Sequence, residues 1–411
     1  MRIFFARLPR LWPETNFFCS ILHLTLLMKS MLKKLFTLLV SFVAVTCVDA
    51  QQSIDRTMLY DGLLREYRIY LPEVYDGSQP ASLLFNLHGY GSGNLQQFLY
   101  GDFRAIADTA NIILCLPNGT ADDLGNLRWN SGFGSGVDDV GFISALIDTL
   151  SAEFFVNPSR IYSTGMSNGG FMSYTLACEL GNRIAAIASV TGTMTLFQAT
   201  TCAPYRPIPI LEIHGTADET VPYDGSAEFL GIDSLIAYWT GVNQCADAPT
   251  ITPLPNNNTS DGSTVERFDY GNCTENTKVV LYKVYGGGHT WPGSIILLPG
   301  TNRDFSASTA IWNFLRQFHH PDFADITNTF EAGNNVAPQK AFPNPCSNVL
   351  QIPVLQNNTQ IELRNTAGTL LLTQTANMPG SNLSVQALPA GIYFLTARNA
   401  AGVWVQRVVK M

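Results

Sequence analysis

The chain has 411 residues, a formal net charge of -8 and 14% charged residues. That length suggests two or three folding units, and the acidic balance argues against a nucleic-acid partner, which needs a basic face. Charge is well below the about 25% of an average globular chain. Asn, Thr, Ser and Gly fill the gap, a composition in keeping with secretion.

The first residues read as an address. Lys29, Lys33 and Lys34 precede an apolar run from Leu35 to Val45, followed by Val48-Asp49-Ala50 and Gln51-Gln52. A basic stretch, a short apolar core and small residues at the end make a signal peptide. The run is too short for a bilayer span. Cys47 follows Thr46, a poor fit to a lipoprotein site, and Met28 or Met31 offers a natural start. The expected division is a leader over 1–50, a main unit over 51–322, a linker over 323–340 and a C-terminal unit over 341–411.

From Thr57 to Phe318, apolar strand-like runs alternate with helical patterns. The runs include Tyr67 to Tyr70, Ser82 to Leu87, Ile112 to Leu116, Ile161 to Thr164, Ala185 to Val190, Ile208 to Ile213 and Val279 to Val284. Helices are expected over Asp139 to Phe154 and Ser226 to Trp239. Near-continuous apolar strands alternating with helices predict an α/β fold, a mostly parallel sheet covered on both faces. After Pro321 the pattern changes. Asp325 to Lys340 is polar and aperiodic. Beyond Ala341 come short alternating strands such as Val349 to Ile352, Gln360 to Leu363, Leu370 to Leu372, Gly391 to Leu395 and Val403 to Val405. Turn signals at Ala367-Gly368, Pro379-Gly380 and Ala401-Gly402 complete a small all-β sandwich.

There are eight cysteines, of which Cys19 and Cys47 fall in the leader. In an exported chain disulfides are permitted. Cys178 with Cys202, and Cys245 with Cys273, are the expected bridges, because each pair brackets one loop segment. Closing such a loop adds ~3 kcal/mol. Cys115 sits in a strand-like run and reads as a buried free thiol. Cys346 has no obvious partner. No CxxC or His/Cys cluster suggests a metal, and no cofactor is expected.

The chemistry centres on Gly165-Met166-Ser167-Asn168-Gly169, set between a strand-like run and a helix-compatible one. A serine on such a turn is held strained, with its hydroxyl exposed, and flanking glycines let the turn pass close to its neighbours. A hydroxyl is a weak nucleophile until a base and an orienting acid accompany it. Among the six histidines, His23 lies in the leader. His319 and His320 read as surface residues, and His88 and His214 each end a strand before a glycine. His289, after Gly286-Gly287-Gly288, is far enough downstream of Ser167 with an acid between. The order Ser, acid, His then selects it as the base. Asp218, just past the strand ending at Ile213, is the expected acid, with Glu219 the neighbouring alternative; strand ends are where open parallel sheets place such residues. Asp138 reads instead as a helix N-cap. The oxyanion needs backbone donors: Asn168 N–H, and Tyr90 N–H in Leu87-His88-Gly89-Tyr90-Gly91-Ser92-Gly93, with Gly89 the near alternative. That loop lacks the GxxxxGK[ST] pattern of a phosphate loop. The set implies attack by Ser167 on an ester carbonyl with His289 as base, through an acyl-enzyme.

Five blocks, LHGYGSG (87–93), VDDVGF (137–142), GMSNGG (165–170), IHGTADETVPY (213–223) and GGGHTWPG (286–293), resemble the polyhydroxybutyrate depolymerase / feruloyl esterase group of extracellular α/β-hydrolases. The resemblance spans roughly Ser53 to Phe318. It implies the same triad, Ser167, Asp218 and His289, and the same two disulfides. It implies an ester substrate, either a feruloyl or acetyl ester of plant polysaccharide or, alternatively, a polyester. Trp129, Trp291 and Tyr90 are candidates to line the substrate site. The tail resembles the type IX sorting domain of Bacteroidetes secreted proteins. Ala341-Phe342-Pro343-Asn344-Pro345 is similar to its opening, Leu388 to Tyr393 to its penultimate strand, and Val408-Val409-Lys410 to its basic end. Asn365-Thr366-Ala367-Gly368 departs from the usual Asp-containing turn. The resemblance implies the type IX secretion machinery as a partner and a location outside the cell or on its surface. A carbohydrate-binding module is the rival for the tail, but it offers few aromatics: Phe342, Tyr393, Phe394 and Trp404.

Overall fold

The computed structural model describes residues 52–77, 79–132, 136–246, 248–323, 341–352, 359–365, 369–376, 381–399 and 402–411. The leader, the polar stretch before Lys340, and the turn signals at Ala367-Gly368 and Pro379-Gly380 lie outside these residues, as does the side chain of Trp404.

The first twelve strands are β1 (Gln52–Tyr60), β2 (Leu63–Leu71), β3 (Ala81–Leu87), β4 (Ile112–Pro117), β5 (Thr120–Ala121), β6 (Leu127–Arg128), β7 (Val156–Met166), β8 (Ala186–Val190), β9 (Ile210–Gly215), β10 (Thr250–Pro253), β11 (Thr264–Tyr270) and β12 (Val279–Tyr285). Ten of them form one sheet in the order β1-β2-β4-β3-β7-β8-β9-β12-β11-β10, and β5 pairs with β6 apart from it. From β4 to β12 the neighbours run parallel. The outer strands are antiparallel. Strands β3, β4, β8 and β9 are buried at every position, as expected of parallel strands covered on both faces.

Helices α1 (Asn94–Tyr100), α2 (Arg104–Ala110), α3 (Asp139–Glu153), α4 (Asn168–Glu179), α5 (Leu196–Thr201), α6 (Ile232–Val242) and α7 (Ala307–Leu315) supply the covers. Successive strand side chains point to opposite faces, and the core sorts accordingly. Leu83, Phe85 and Ile113 pack with Phe142, Ile143, Met172 and Trp239 of α3, α4 and α6. Leu84, Ile112 and Leu114 pack with Phe98, Ile311 and Trp312 of α1 and α7. Asp138 caps α3 by accepting from Gly141 N–H. Helix α6 starts later than the apolar pattern predicts. Ser226 Oγ accepts from the backbone of Glu228 and Phe229, and this local turn competes with helix. Residues 226–231 are therefore a loop. His320 is a second correction: it is fully buried, with Nε2 3.0 Å from Gly181 O, whereas His319 is exposed.

The cysteine bridges form as expected, Cys178–Cys202 and Cys245–Cys273. Cys115 and Cys346 are free and buried.

In the C-terminal region, β13 (Val349–Ile352) pairs with β16 (Ser381–Ser384). Strands β14 (Thr359–Asn365), β15 (Leu370–Ala376), β17 (Gly391–Asn399) and β18 (Gly402–Lys410) make a second antiparallel sheet in the order β15-β14-β17-β18. Leu350, Ile352, Ile361, Leu363, Leu383 and Leu395 form its core.

Candidate active site

Ser167 stands between the last residue of β7 and the first of α4, at φ 54° and ψ -121°. A positive φ on a residue with a Cβ is strained and persists only where the surroundings enforce it. The enforcement is visible in the glycines. A Cβ on Gly165 would fall 2.6 Å from Gly169 backbone and 2.7 Å from Leu87 O; one on Gly169 would fall 2.2 Å from Leu87 O. The turn therefore passes against the end of β3, as its sequence requires.

The ends of four adjacent strands are stitched together by backbone hydrogen bonds. Ser167 N–H donates to Val190 O at 2.9 Å, Thr191 N–H to Ile213 O at 2.8 Å, Thr216 N–H to Val284 O at 2.9 Å and Ala217 N–H to Gly287 O at 2.9 Å. This row fixes the spacing between the serine turn, the loop after β9 and the glycine loop after β12. Across it, His289 Nδ1 lies 2.7 Å from Asp218 Oδ2. The Asp218 side chain is fully buried and that of His289 is 21% exposed, so one edge of the imidazole faces solvent. Asp218 Oδ1 accepts from Thr220 N–H at 2.9 Å and Val221 N–H at 2.8 Å. Burial alone would push this carboxyl up, but His289, the Val221 N–H and His214 together outweigh it and hold it below the usual range. An ionised Asp218 accepting from Nδ1–H leaves Nε2 of His289 as the basic nitrogen. No hydrogen bond joins Ser167 Oγ to His289 among the described residues; contacts of this kind are commonly long before substrate tightens them.

The loop after β3 lies against the serine: a Cβ on Gly89 would sit 3.4 Å from Ser167 Cβ. His88 is fully buried. Its Nδ1 donates to Gly89 O at 2.8 Å and its Nε2 accepts from Gly119 N–H at 2.9 Å. Burial holds this imidazole neutral, lowering its pKa to about 4. Tyr90 N–H has no hydrogen-bond partner among the described residues. Asn168 N–H, in the first turn of α4, belongs to the donors a helix leaves free. The Tyr90 ring is itself exposed at the rim, its hydroxyl donating to Asp122 at 2.6 Å.

The two tryptophans expected to line the substrate site are corrected by the structure. Trp129 is fully buried, its indole N–H donating to His88 O at 3.0 Å. Trp291 is 1% exposed, packs edge-on against Phe103 and donates to Ser308 Oγ at 3.2 Å. Both brace the site from behind, because an indole this far from solvent presents no face to a ligand.

Other contributors, Asn168 and Asp139, lie within the GMSNGG and VDDVGF blocks, but the sequence gave no sign of what their side chains hold. The Asn168 side chain accepts from Trp129 N–H at 2.7 Å and donates to Ser131 Oγ at 2.8 Å, tying the residue after Ser167 to the loop over 129–131. Asp139 is buried and ion-paired with Arg65 at 2.6 Å while accepting from Asn130 N–H. A cavity of about 480 Å³ opens beside that loop, lined by Asn130, Val137, Asp138, Thr175, Glu179 and Phe197 among others; Ser167 and His289 are not among its lining residues. Among the described residues no group of His, Cys, Asp and Glu could hold a metal ion.

Comparison with known proteins places the chain in a family. Residues 138–232 match the family described as Phospholipase/Carboxylesterase. A probable feruloyl esterase C from Aspergillus niger is 31% identical over 55% of this chain and 76% of its own length. The chain belongs to the carboxylesterase family that includes these feruloyl esterases. A putative esterase from Nocardia uniformis subsp. tsuyamanensis is 28% identical over 63% of this chain and 81% of its own. A bifunctional acetylxylan esterase/xylanase from Neocallimastix patriciarum is 27% identical over 56% of this chain and 31% of its own. The esterase is thus a carboxylic ester hydrolase. Its residues 340–411 match the secretion system C-terminal sorting domain, which marks it for export to the outside of the cell or its surface.

Proposed function

We propose that this esterase cleaves feruloyl or acetyl esters of plant polysaccharides through a covalent acyl-enzyme, with Ser167 as nucleophile, His289 as base and Asp218 as orienting acid. The observation that carries the reading is the 2.7 Å contact between His289 Nδ1 and buried Asp218 on the strand-end row that also bears strained Ser167. In the first half-reaction His289 Nε2 takes the Ser167 proton as the oxygen attacks the carbonyl carbon. The oxyanion is received by the N–H groups of Asn168 and Tyr90, and His289 returns the proton to the leaving alcohol. Water repeats the sequence to free the acid. The feruloyl and acetylxylan esterases among the relatives support the substrate class. Residues 1–50 are assigned to a leader removed on export, and residues 341–411 to recognition by the type IX secretion machinery.

A second reading, an extracellular polyester depolymerase, is favoured by one feature. Shortly after His289, Ile295, Ile296, Leu297 and Leu298 are all exposed, and runs of exposed apolar residues are rare without a function. Product release from methyl ferulate, acetylated xylan and polyhydroxybutyrate granules, measured side by side with Ser167→Ala as control, separates the readings. Serine-dependent ferulate or acetate release is expected. Granule clearing without either would select the polyester, and activity surviving in Ser167→Ala would remove the triad.

A further inference from the structure

Behind Asp218 lies a second acid–imidazole pair that the acyl-transfer steps do not use. Glu212 and His214 are two apart on β9 and so share a face. Both are fully buried. His214 Nδ1 is 2.9 Å from Glu212 Oε1, and its Nε2 is 2.8 Å from Val221 O and 3.5 Å from Asp218 Oδ2. Tyr174 of α4 donates to the other Glu212 oxygen at 2.8 Å. Burying such groups is costly unless they are paired, and this pair ends against the same oxygen that holds His289.

The hydrogen bonds count the protons. A carbonyl only accepts, so Val221 O requires a proton on Nε2 of His214. Tyr174 supplies its own proton to Glu212. One further proton lies between Glu212 Oε1 and His214 Nδ1, and on the nitrogen it makes His214 a cation. The other groups facing the pair are Lys283, beside His214 on β12, Ser189, opposite Glu212 on β8, and the Tyr223 ring, 6.0 Å from the imidazole with its hydroxyl on Asp233. Of these, Lys283 directs its ammonium over the Tyr223 ring, and none adds a negative charge in contact with His214.

We infer that Glu212 and His214 are positioning residues for Asp218: Glu212 keeps His214 cationic, and His214 keeps Asp218 ionised and aimed at His289. The titration directions compete at the shared proton: burial raises Glu212, which favours the proton on the carboxyl, while the Asp218 charge 3.5 Å from Nε2 favours it on the imidazole. Burial alone would lower His214, but the Glu212 hydrogen bond and charge outweigh it and raise the imidazole above its ordinary value. Asp218 in turn is held low in part by His214. The cation acts on Asp218 through space, since 3.5 Å is beyond a normal N–H···O bond.

This inference rests on the triad proposed above, and its test separates the two. His214→Gln keeps an N–H donor for Val221 O and removes the charge; Glu212→Gln removes the group that holds the proton. Either change takes a positive charge from behind Asp218, so protonation of the catalytic imidazole becomes easier. The acidic limb of kcat/KM should move up by roughly half to one pH unit, a roughly three- to tenfold loss at a fixed pH on that limb with little change on the plateau. The double variant should move it no further than either single one, because both remove the same cation. Folded variants with an unmoved limb would overturn the inference and reduce the pair to packing. Turnover persisting in Ser167→Ala would instead overturn the triad. Should the variants fail to fold, ¹⁵N NMR of the wild-type histidines decides: a buried imidazole protonated on both nitrogens at about pH 7 supports the pair, and only singly protonated buried imidazoles overturn it.

Discussion

The ten-stranded region and the C-terminal sheets are both built from strands with apolar faces, yet they bury different things. The C-terminal core is mainly aliphatic, with Leu350, Ile361, Leu363, Leu383 and Leu395 beside Tyr393 and Cys346. The large sheet encloses, besides its apolar layers, a set of ionisable groups: Arg65 with Asp139, His88, and the series Glu212, His214 and Asp218. Each costs free energy to desolvate unless its partners are in place. An aliphatic core needs only volume and pattern. The contrast teaches where chemistry resides: buried, paired charge marks the region built to act on a substrate, even where the pairing is incomplete, as at Nε and Nη1 of Arg65.

The sharpest way to break this contrast is to remove the groups proposed to react. Ser167→Ala should lower kcat/KM by at least ~10⁴-fold, with Tm little changed, because only an exposed-edge hydroxyl is lost. Asp218→Asn should cost ~10³- to 10⁴-fold, since the amide no longer holds His289 with Nε2 free. Steady-state kinetics on methyl ferulate reads both. A loss below tenfold in either would undo the assignment of these strand ends to catalysis.

Much of this site was legible in the sequence because its parts lie at strand ends with glycine beside them. Ser167, Asp218 and His289 each follow an apolar run, and Gly165, Gly169 and the 286–288 glycines announce close approach. Both disulfides were legible from spacing. The supports were not. Trp129 and Trp291 look like ligand-facing aromatics in sequence, and only packing reveals that their indoles face inward. His320 reads as surface because its cover, Arg206 and Gly181, is distant in the chain. The late start of α6 was hidden because apolar spacing continues through 226–231 while Ser226 turns the backbone.

A smaller effect is expected from the residue that joins the nucleophile turn to its neighbouring loop. Asn168→Ala leaves the Trp129 N–H and Ser131 hydroxyl without partners in a buried place, a cost of roughly 1–3 kcal/mol. It also frees the backbone proposed to donate to the oxyanion, so kcat should fall roughly tenfold with KM nearly constant. Thermal unfolding together with kcat and KM measures both parts.

Acid should weaken the large sheet through His88. Its folded pKa is lowered to about 4, against roughly 6.5 for an exposed imidazole. A lowered value means the unfolded chain takes up the proton first as pH falls. The associated stability is therefore complete above about 6.5 and is lost on the way down to about 4, on the order of 3 kcal/mol. His88→Asn should flatten the fall in stability between about pH 6.5 and 4.5, read by denaturant titration. An unchanged slope would assign acid sensitivity elsewhere.

The smallest kinetic effect should come from removing the C-terminal sheets. Among the described residues, an apolar cluster shared with the large region pairs Phe155, just before β7, with Phe394 of β17, rings stacked at 6.0 Å. Phe155 directly precedes β7 and Ser167 directly follows it, so the length of the strand separates them and the loss of Phe155 does not reach the row of strand ends. A stacked ring pair contributes about 0.5–1.5 kcal/mol beyond its buried area. Deleting residues 324–411 should therefore lower stability modestly and leave kcat/KM on a soluble ester within about twofold, while export from the producing cell stops. A large kinetic loss would mean that the sorting region also shapes the substrate site, and the division between a region that reacts and a region that directs would fail.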